Sequence, residues 1–342
     1  MQAMITMVIL TGLITSTTLV TMSNSWLMAW LGLEMNTIAA LPLISKTKHP
    51  RSIEASTKYF LTQTTASCLL LFSSTTNAWY TGTWCITQMD NKYASALMLI
   101  ALTMKAGTIP THFWLPEVMQ GSTMITAILI STWQKIAPMI LITLMSHKAS
   151  SNITLVMGLM STTFGGWGGT NQTQLRKMMA YSSITNMGWT IMILTSQPKT
   201  SLMNILIYMT IITPMMLMME QSSTKTLQNM TTTWSTSPTI ATMLTLMLLS
   251  TAGLPPLTGF IPKLMILNGL VTQKLTPIAI MAATTSLLSL IFYLRTAYLT
   301  ALLTPPNSTT STIKWRQKMK TKATMLTPTA ITTMLVLPTM MN

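Results

Sequence analysis

The stretch Lys105–Gly121, KAGTIPTHFWLPEVMQG, decides how the chain is read. A lysine closes an apolar run. A glycine, two prolines, a histidine and a glutamate then follow inside hydrophobic sequence. Proline lacks the amide hydrogen a helix interior needs and clashes with the preceding turn, so a helix that reaches Lys105 breaks there. The pattern returns at Ala252–Lys263, where AGLPPLTGFIPK stands against the AGTIPTHFWLPE of Ala106–Glu117. Both carry A-G-x-x-P, an aromatic at Trp114 or Phe260, Leu or Ile followed by Pro, and then a charge. They read as two breaks in two membrane helices.

Composition supports a membrane setting. The chain has 342 residues, 49% of them hydrophobic and only 7% charged, where soluble domains carry about 25% charge. Its net charge is +15, but the basic residues are scattered, with no basic-aromatic face and no nucleic-acid motif. Nucleic acid is therefore excluded as a partner. The 35 methionines and the abundant threonines stand where Leu, Ile and Ala are usual, a bias that points to an organelle genome. Cys68 and Cys85 form neither a C-x-x-C nor a metal set and are expected to be small buried hydrophobes. The first apolar run begins almost at once, with no presequence read ahead of it.

A span needs about 20 apolar residues. Eleven candidates follow: 3–22, 26–45, 58–77, 93–117, 122–145, 152–170, 176–196, 200–220, 238–272, 276–301 and 324–341. The fold expected is an all-α polytopic membrane protein. It has two inverted five-helix repeats, 1–146 and 147–301, each with a proline-broken helix (near 105–117 and 250–263). A basic loop, 302–323, and a C-terminal transmembrane helix, 324–342, complete it. The breaks fall five spans apart, and an odd offset gives repeats of opposite orientation, the pattern of transporters whose sites lie at discontinuous helices. With the N-terminus inside, twelve loop Lys and Arg lie inside and four outside, so the positive-inside rule puts the C-terminus outside.

Charges within the spans cost at least about 2.5–3.5 kcal/mol each, so each needs a reason. Glu34 stands roughly 13 Å into the second span, and Lys105, just before the first break, is its expected partner. Burial favours the neutral form of either group, so such a pair can exchange a proton. Lys135 sits in STWQKIAPMI, where Pro138 is expected to free the Gln134 carbonyl and kink the helix. Lys263 follows Pro262. Every intramembrane lysine thus adjoins a helix defect whose carbonyls need water or another donor, and lysines joined by water make a proton path. His112, inside the first break, suits an inlet relay. Glu117 is assigned to a solvated loop, Arg295 to the headgroup level, and FGGWGG at 164–169 to close packing or a turn. No metal cluster, catalytic triad or redox motif is found, so no cofactor is expected in this chain.

Six segments carry a resemblance: WLGLEMNTIAALPL with Glu34, KYFLTQ at 58–63, KAGTIPTHFWLPEVMQG, STWQKIAP, LRKMMAYSSITNMGW at 175–189, and LSTAGLPPLTGFIPKL. Through them the chain resembles mitochondrial NADH dehydrogenase subunit 2, a family of antiporter-like core membrane subunits of respiratory complex I. The resemblance implies an H+-translocating subunit of NADH:ubiquinone reductase in the mitochondrial inner membrane. NADH, FMN, iron-sulfur clusters and ubiquinone would be handled by partner subunits, and the partners would be other membrane subunits and lipid. It implies a Glu34–Lys105 pair, Lys135 as the link to the centre of the path and Lys263 at its far end. Relatives with Glu in place of Lys263 leave the exit step open. The alternatives are a stand-alone cation/proton antiporter and a non-pumping membrane scaffold.

Overall fold

A computed structural model describes residues 2–47 and 49–301. The predicted basic loop 302–323, the predicted C-terminal helix 324–342 and Lys48 lie outside the described residues.

The described chain is helical almost throughout. Its α-helices are α1 (Gln2–Met22), α2 (Trp26–Ile44), α3 (Pro50–Thr81), α4 (Lys92–Ala106), α5 (Trp114–Gly121), α6 (Met124–Ser131), α7 (Trp133–Leu144), α8 (Ser151–Thr170), α9 (Leu175–Ile193), α10 (Pro198–Gln221), α11 (Leu227–Met230), α12 (Thr233–Thr236), α13 (Pro238–Ala252), α14 (Phe260–Thr272) and α15 (Thr276–Ala301). Thirteen of these have at least eight residues. Among the described residues, five segments are long and apolar enough to cross a membrane: Met4–Met22, Trp26–Thr47, Met124–Leu144, Pro198–Gln221 and Thr276–Ala301. The eleven-span expectation is not settled by that set.

Threonine is a poor choice for a helix in water, yet here it is satisfied locally. The hydroxyls of Thr17, Ser73, Thr103, Ser182, Thr251 and Thr285 each donate to the carbonyl three residues back. A hydroxyl bonded this way costs little in an apolar setting, where an unbonded one would cost several kcal/mol. Meanwhile Met4, Met7 and Val8 of α1 and Ile280, Leu287 and Ile291 of α15 face outward. Apolar side chains outside and small hydroxyls inside is the arrangement expected where lipid is the solvent.

Two compact units divide the described chain. The first comprises 2–47, 49–161 and Thr190–Leu202; the second comprises Thr162–Trp189 and 203–301. In the first unit α3 packs against α2, α4 and α5, and α7 packs against α1, α2, α4 and α6. Trp26, Tyr59, Leu70, Met98, Leu99, Leu102 and Leu115 are fully buried there. In the second unit α15 packs against α11, α12, α13 and α14. FGGWGG lies on α8, where a Cβ on Gly166 would come within 2.9 Å of Leu288 and one on Gly169 within 2.9 Å of Phe292. Its glycines therefore allow close helix packing.

Three expectations are corrected, and one discontinuity is added. Helix α3 starts eight residues earlier than predicted, because His49 caps it and Pro50 takes its first position, where proline is pre-organised and needs no hydrogen bond. Glu117 lies on α5 rather than in a loop, since Pro116 is tolerated in a first turn. Near Lys135 a second discontinuity, at Thr132 (φ −116°, ψ −75°), adds to Pro138, which lies inside α7. The Thr132 hydroxyl takes the Ile128 carbonyl at 2.7 Å, which closes α6 before the proline is reached. Cys68 and Cys85 are exposed rather than buried: Cys68 lies on the outward side of α3, and Cys85 in the α3–α4 connection bridges Ser25.

Candidate functional site

Helix α4 ends at Ala106 because Gly107 adopts φ 79° and ψ 38°, the left-handed conformation that glycine enters without penalty. The Gly107 amide donates to the Met104 and Thr103 carbonyls, and the Thr108 amide to Thr103 at 3.0 Å. The Trp114 indole donates to the Met104 carbonyl at 3.2 Å. This places Lys105 in the last turn of α4, facing inward, with its side chain 2% exposed.

Glu34 of α2 faces it. The Lys105 Nζ to Glu34 Oε1 distance is 3.8 Å, and neither atom has a hydrogen-bond partner. The two are attracted but not in contact, and a shift of one side chain would close or open the pair. The other carboxylate oxygen, Oε2, accepts from the Thr37 hydroxyl at 3.5 Å.

Lys105 and Lys135 line one cavity of about 10 Å³, together with Asn36, Thr37, Tyr59, Gln63, Trp114, Gln134 and Pro138. That is room of the order of one water molecule. Lys135, in the first turn of α7, is 1% exposed. The polar lining comes from four helices: Asn36 and Thr37 from α2, Gln63 from α3, Lys105 from α4, and Gln134 and Lys135 from α7. Gln134 Nε2 donates to Asn36 Oδ1 at 3.1 Å. Tyr59 packs edge-on to Trp114, ring centroids 5.7 Å apart.

His112 lies in the break between α4 and α5. It is 6% exposed, its Nδ1 has no hydrogen-bond partner, and its ring rests on Phe113 at 4.2 Å. It does not line the cavity. Glu117 instead meets Lys58, at 2.6 Å, and Lys58 also holds Glu54 at 2.5 Å. The Lys58 ammonium keeps the Glu54 carboxyl below its ordinary range.

In the second unit, α13 ends at Gly253 (φ 85°, ψ 46°), whose amide donates to Leu249 and Ser250. Lys263, in the first turn of α14, reaches back so that Nζ donates to the Ala252 carbonyl at 2.8 Å. A helix C-terminus carries partial negative charge and unpaired carbonyls, so an ammonium suits it. Arg295 Nη1 donates to the Thr170 carbonyl at 3.3 Å on an exposed face. No group of three or more metal-ligating side chains is found among the described residues.

A family model described as "NADH:quinone oxidoreductase/Mrp antiporter, TM" matches residues 23–289, and one described as "NADH dehydrogenase subunit 2 C-terminus" matches residues 290–341. The chain is 48% identical over 338 residues to NADH-ubiquinone oxidoreductase chain 2 of Varanus timorensis, an alignment covering 99% of this chain and 98% of the relative. The chain belongs to the NADH-ubiquinone oxidoreductase chain 2 family. The Xenopus laevis member is 45% identical over 331 residues, covering 97% of this chain and 96% of its own. A chain of respiratory complex I from Thermus thermophilus superposes with TM-score 0.78 at 21% identity, covering 94% of this chain and 77% of that one. A chain of the membrane-bound sulfane sulfur reductase, an archaeal respiratory complex, gives 0.84 at 18%, covering 96% and 72%. At those identities the likeness is one of fold.

In this chain 2 family member the sequence reading found the charged groups and missed the neutral polar ones around them. Asn36 lies two residues after Glu34, Gln134 directly before Lys135, and Gln63 one helical turn after Tyr59. An amide inside an apolar span, next to a charge, was the available signal.

Proposed function

We propose that this chain is a proton-translocating core membrane subunit of the NADH:ubiquinone oxidoreductase, driven by electron transfer from NADH to ubiquinone in other subunits. The observation that carries this reading is the cavity shared by Lys105 and Lys135, with Glu34 3.8 Å from Lys105. A carboxylate drawn against an ammonium holds its proton, and withdrawal of the carboxylate releases it. Lys135 is the acceptor across the cavity. Lys263 is the protonatable group of the second break, and His112 is an inlet relay from the first.

The finer architecture proposed is eleven spans in two five-helix repeats of opposite orientation, 1–146 and 147–301. The loop charges support an N-terminus on the matrix side of the mitochondrial inner membrane and a C-terminus on the intermembrane-space side. Redox groups belong to partner subunits, and ubiquinone is acted on by the complex rather than bound here.

Lys135→Ala in the assembled complex tests the reading. NADH-driven proton pumping in proteoliposomes should fall by about 10²-fold, the lower range for loss of an acid–base group, with assembly intact. A non-pumping scaffold predicts unchanged pumping in that variant. A stand-alone antiporter predicts cation/proton exchange by the isolated chain.

A further inference from the structure

We propose that the Asn36–Gln134 amide bridge is a positioning device that sets the Glu34–Lys105 pair and Lys135 in register across their cavity. The inference rests on the proton-transfer reading of that cavity and adds two residues to it.

Four observations carry it. The bridge is a direct hydrogen bond of 3.1 Å between side chains 98 positions apart in sequence. It joins α2, which carries Glu34, to α7, which carries Lys135. Each amide sits within two residues of the charge on its own helix, so a shift of one helix moves its charge and its amide together. Asn36 is 3% exposed, and both amides line the cavity. Lys105 Nζ is buried on the same cavity without a hydrogen-bond partner.

Breaking a buried amide bridge leaves a donor and an acceptor that must find other partners. The two helices then lose a directional contact that fixes their axial register. Thr132, next to the bridge, ends α6, so the start of α7 depends on side-chain contacts for its position. The bridge supplies one of them. When it is made, Lys135 stays at the cavity. With Lys135 held there, one water in the cavity can pass a proton between the lysines. In that step an N–H bond of the Lys105 ammonium breaks as a water O–H forms, and another proton of that water goes to the Lys135 amine.

The test uses the assembled complex with three variants: Q134L, N36S, and the exchange N36Q with Q134N, which keeps the combined side-chain length. Proton pumping per assembled complex and its pH profile are read together. Q134L and N36S should lower pumping by up to about 10²-fold, the scale of a 1 Å misplacement of reacting groups, and move the pH profile. The exchange should restore both. Should Q134L fail to assemble, N36S, which shortens the bridge but keeps a hydroxyl, decides the matter. Unchanged pumping per assembled complex in N36S overturns the proposal. So does a loss of pumping in N36S with an unmoved pH profile and no recovery in the exchange, because that is the signature of a bridge that only holds the fold. Lys135→Ala serves as the control. If it pumps normally the proton-transfer reading fails; if it is silent while N36S pumps normally, only the bridge fails.

Discussion

The two breaks use the same backbone and different donors. At Gly107 and Gly253 the chain turns left-handed, and the glycine amide returns to the carbonyls of the turn just completed. The Thr108 and Leu254 amides reach back to Thr103 at 3.0 Å and Leu249 at 3.4 Å. Beyond that the breaks diverge. In the first, the donor from the following helix is the Trp114 indole, on a carbonyl that already holds the Gly107 amide. In the second, Phe260 stands in the place of Trp114 and has no N–H to offer. Lys263 supplies the donor, on Ala252. Lys105, one residue ahead of the first motif, is directed at Glu34 on α2, whereas Lys263, at the last position of the second motif, returns to cap α13.

The comparison breaks most sharply at Lys263. Lys263→Arg keeps a donor and a positive charge for the Ala252 carbonyl, but a guanidinium does not release its proton in a protein. If Lys263 only caps α13, the variant should assemble and pump. If it also carries a proton, NADH-driven pumping in reconstituted vesicles should fall about 10²-fold or more while the complex assembles. We expect the second outcome.

A smaller effect is expected at Trp114. Trp114→Phe makes the first break chemically like the second and removes the indole donor. The Met104 carbonyl keeps the Gly107 amide, so the cost is that of one ordinary hydrogen bond, about 0.5–1.5 kcal/mol. Hydrogen exchange at the amides of Gly107 and Thr108 should quicken accordingly, and pumping should persist. Unchanged exchange would mean that the indole contact adds nothing to the break.

Much of this was legible in the sequence, because glycine, proline and buried charge are strong signals. The break at Lys105–Gly121, its echo at Ala252–Lys263 and the pairing of Glu34 with Lys105 all follow from residues that cannot sit comfortably in a straight apolar helix. The discontinuity at Thr132 was hidden. Nothing in IST-WQK marks it. The Asn36–Gln134 bridge was half legible: an amide beside a charge in an apolar span marks each residue, but nothing in the sequence says that the two are partners. The early start of α3 was readable from HPRSIE, where a proline follows a capping residue, but the apolar count alone set the predicted boundary at Lys58.

The smallest effect is expected where the two motifs end. Glu117 and Lys263 hold the same place after the break, yet Glu117 turns outward to Lys58 on α3 while Lys263 turns back to α13. Both Glu117 and Lys58 are about half exposed, and solvent screens ion pairs of this kind so that they contribute little. Lys58 also keeps Glu54 as a partner. Glu117→Gln should therefore leave assembly, thermal stability and pumping close to those of the unsubstituted chain. The remaining Lys58–Glu54 pair sets the pH dependence of that surface. The Glu54 carboxyl is held below its ordinary value of 4.5 by the Lys58 ammonium. Its contribution is complete above 4.5 and is lost only as pH falls through the lowered folded value, so stability across the neutral range should not change with pH on its account. A marked loss of pumping in Glu117→Gln would show that the first break depends on its outer end as the second is expected to depend on Lys263, and the contrast between the two would then lie in the direction of the contact rather than in its importance.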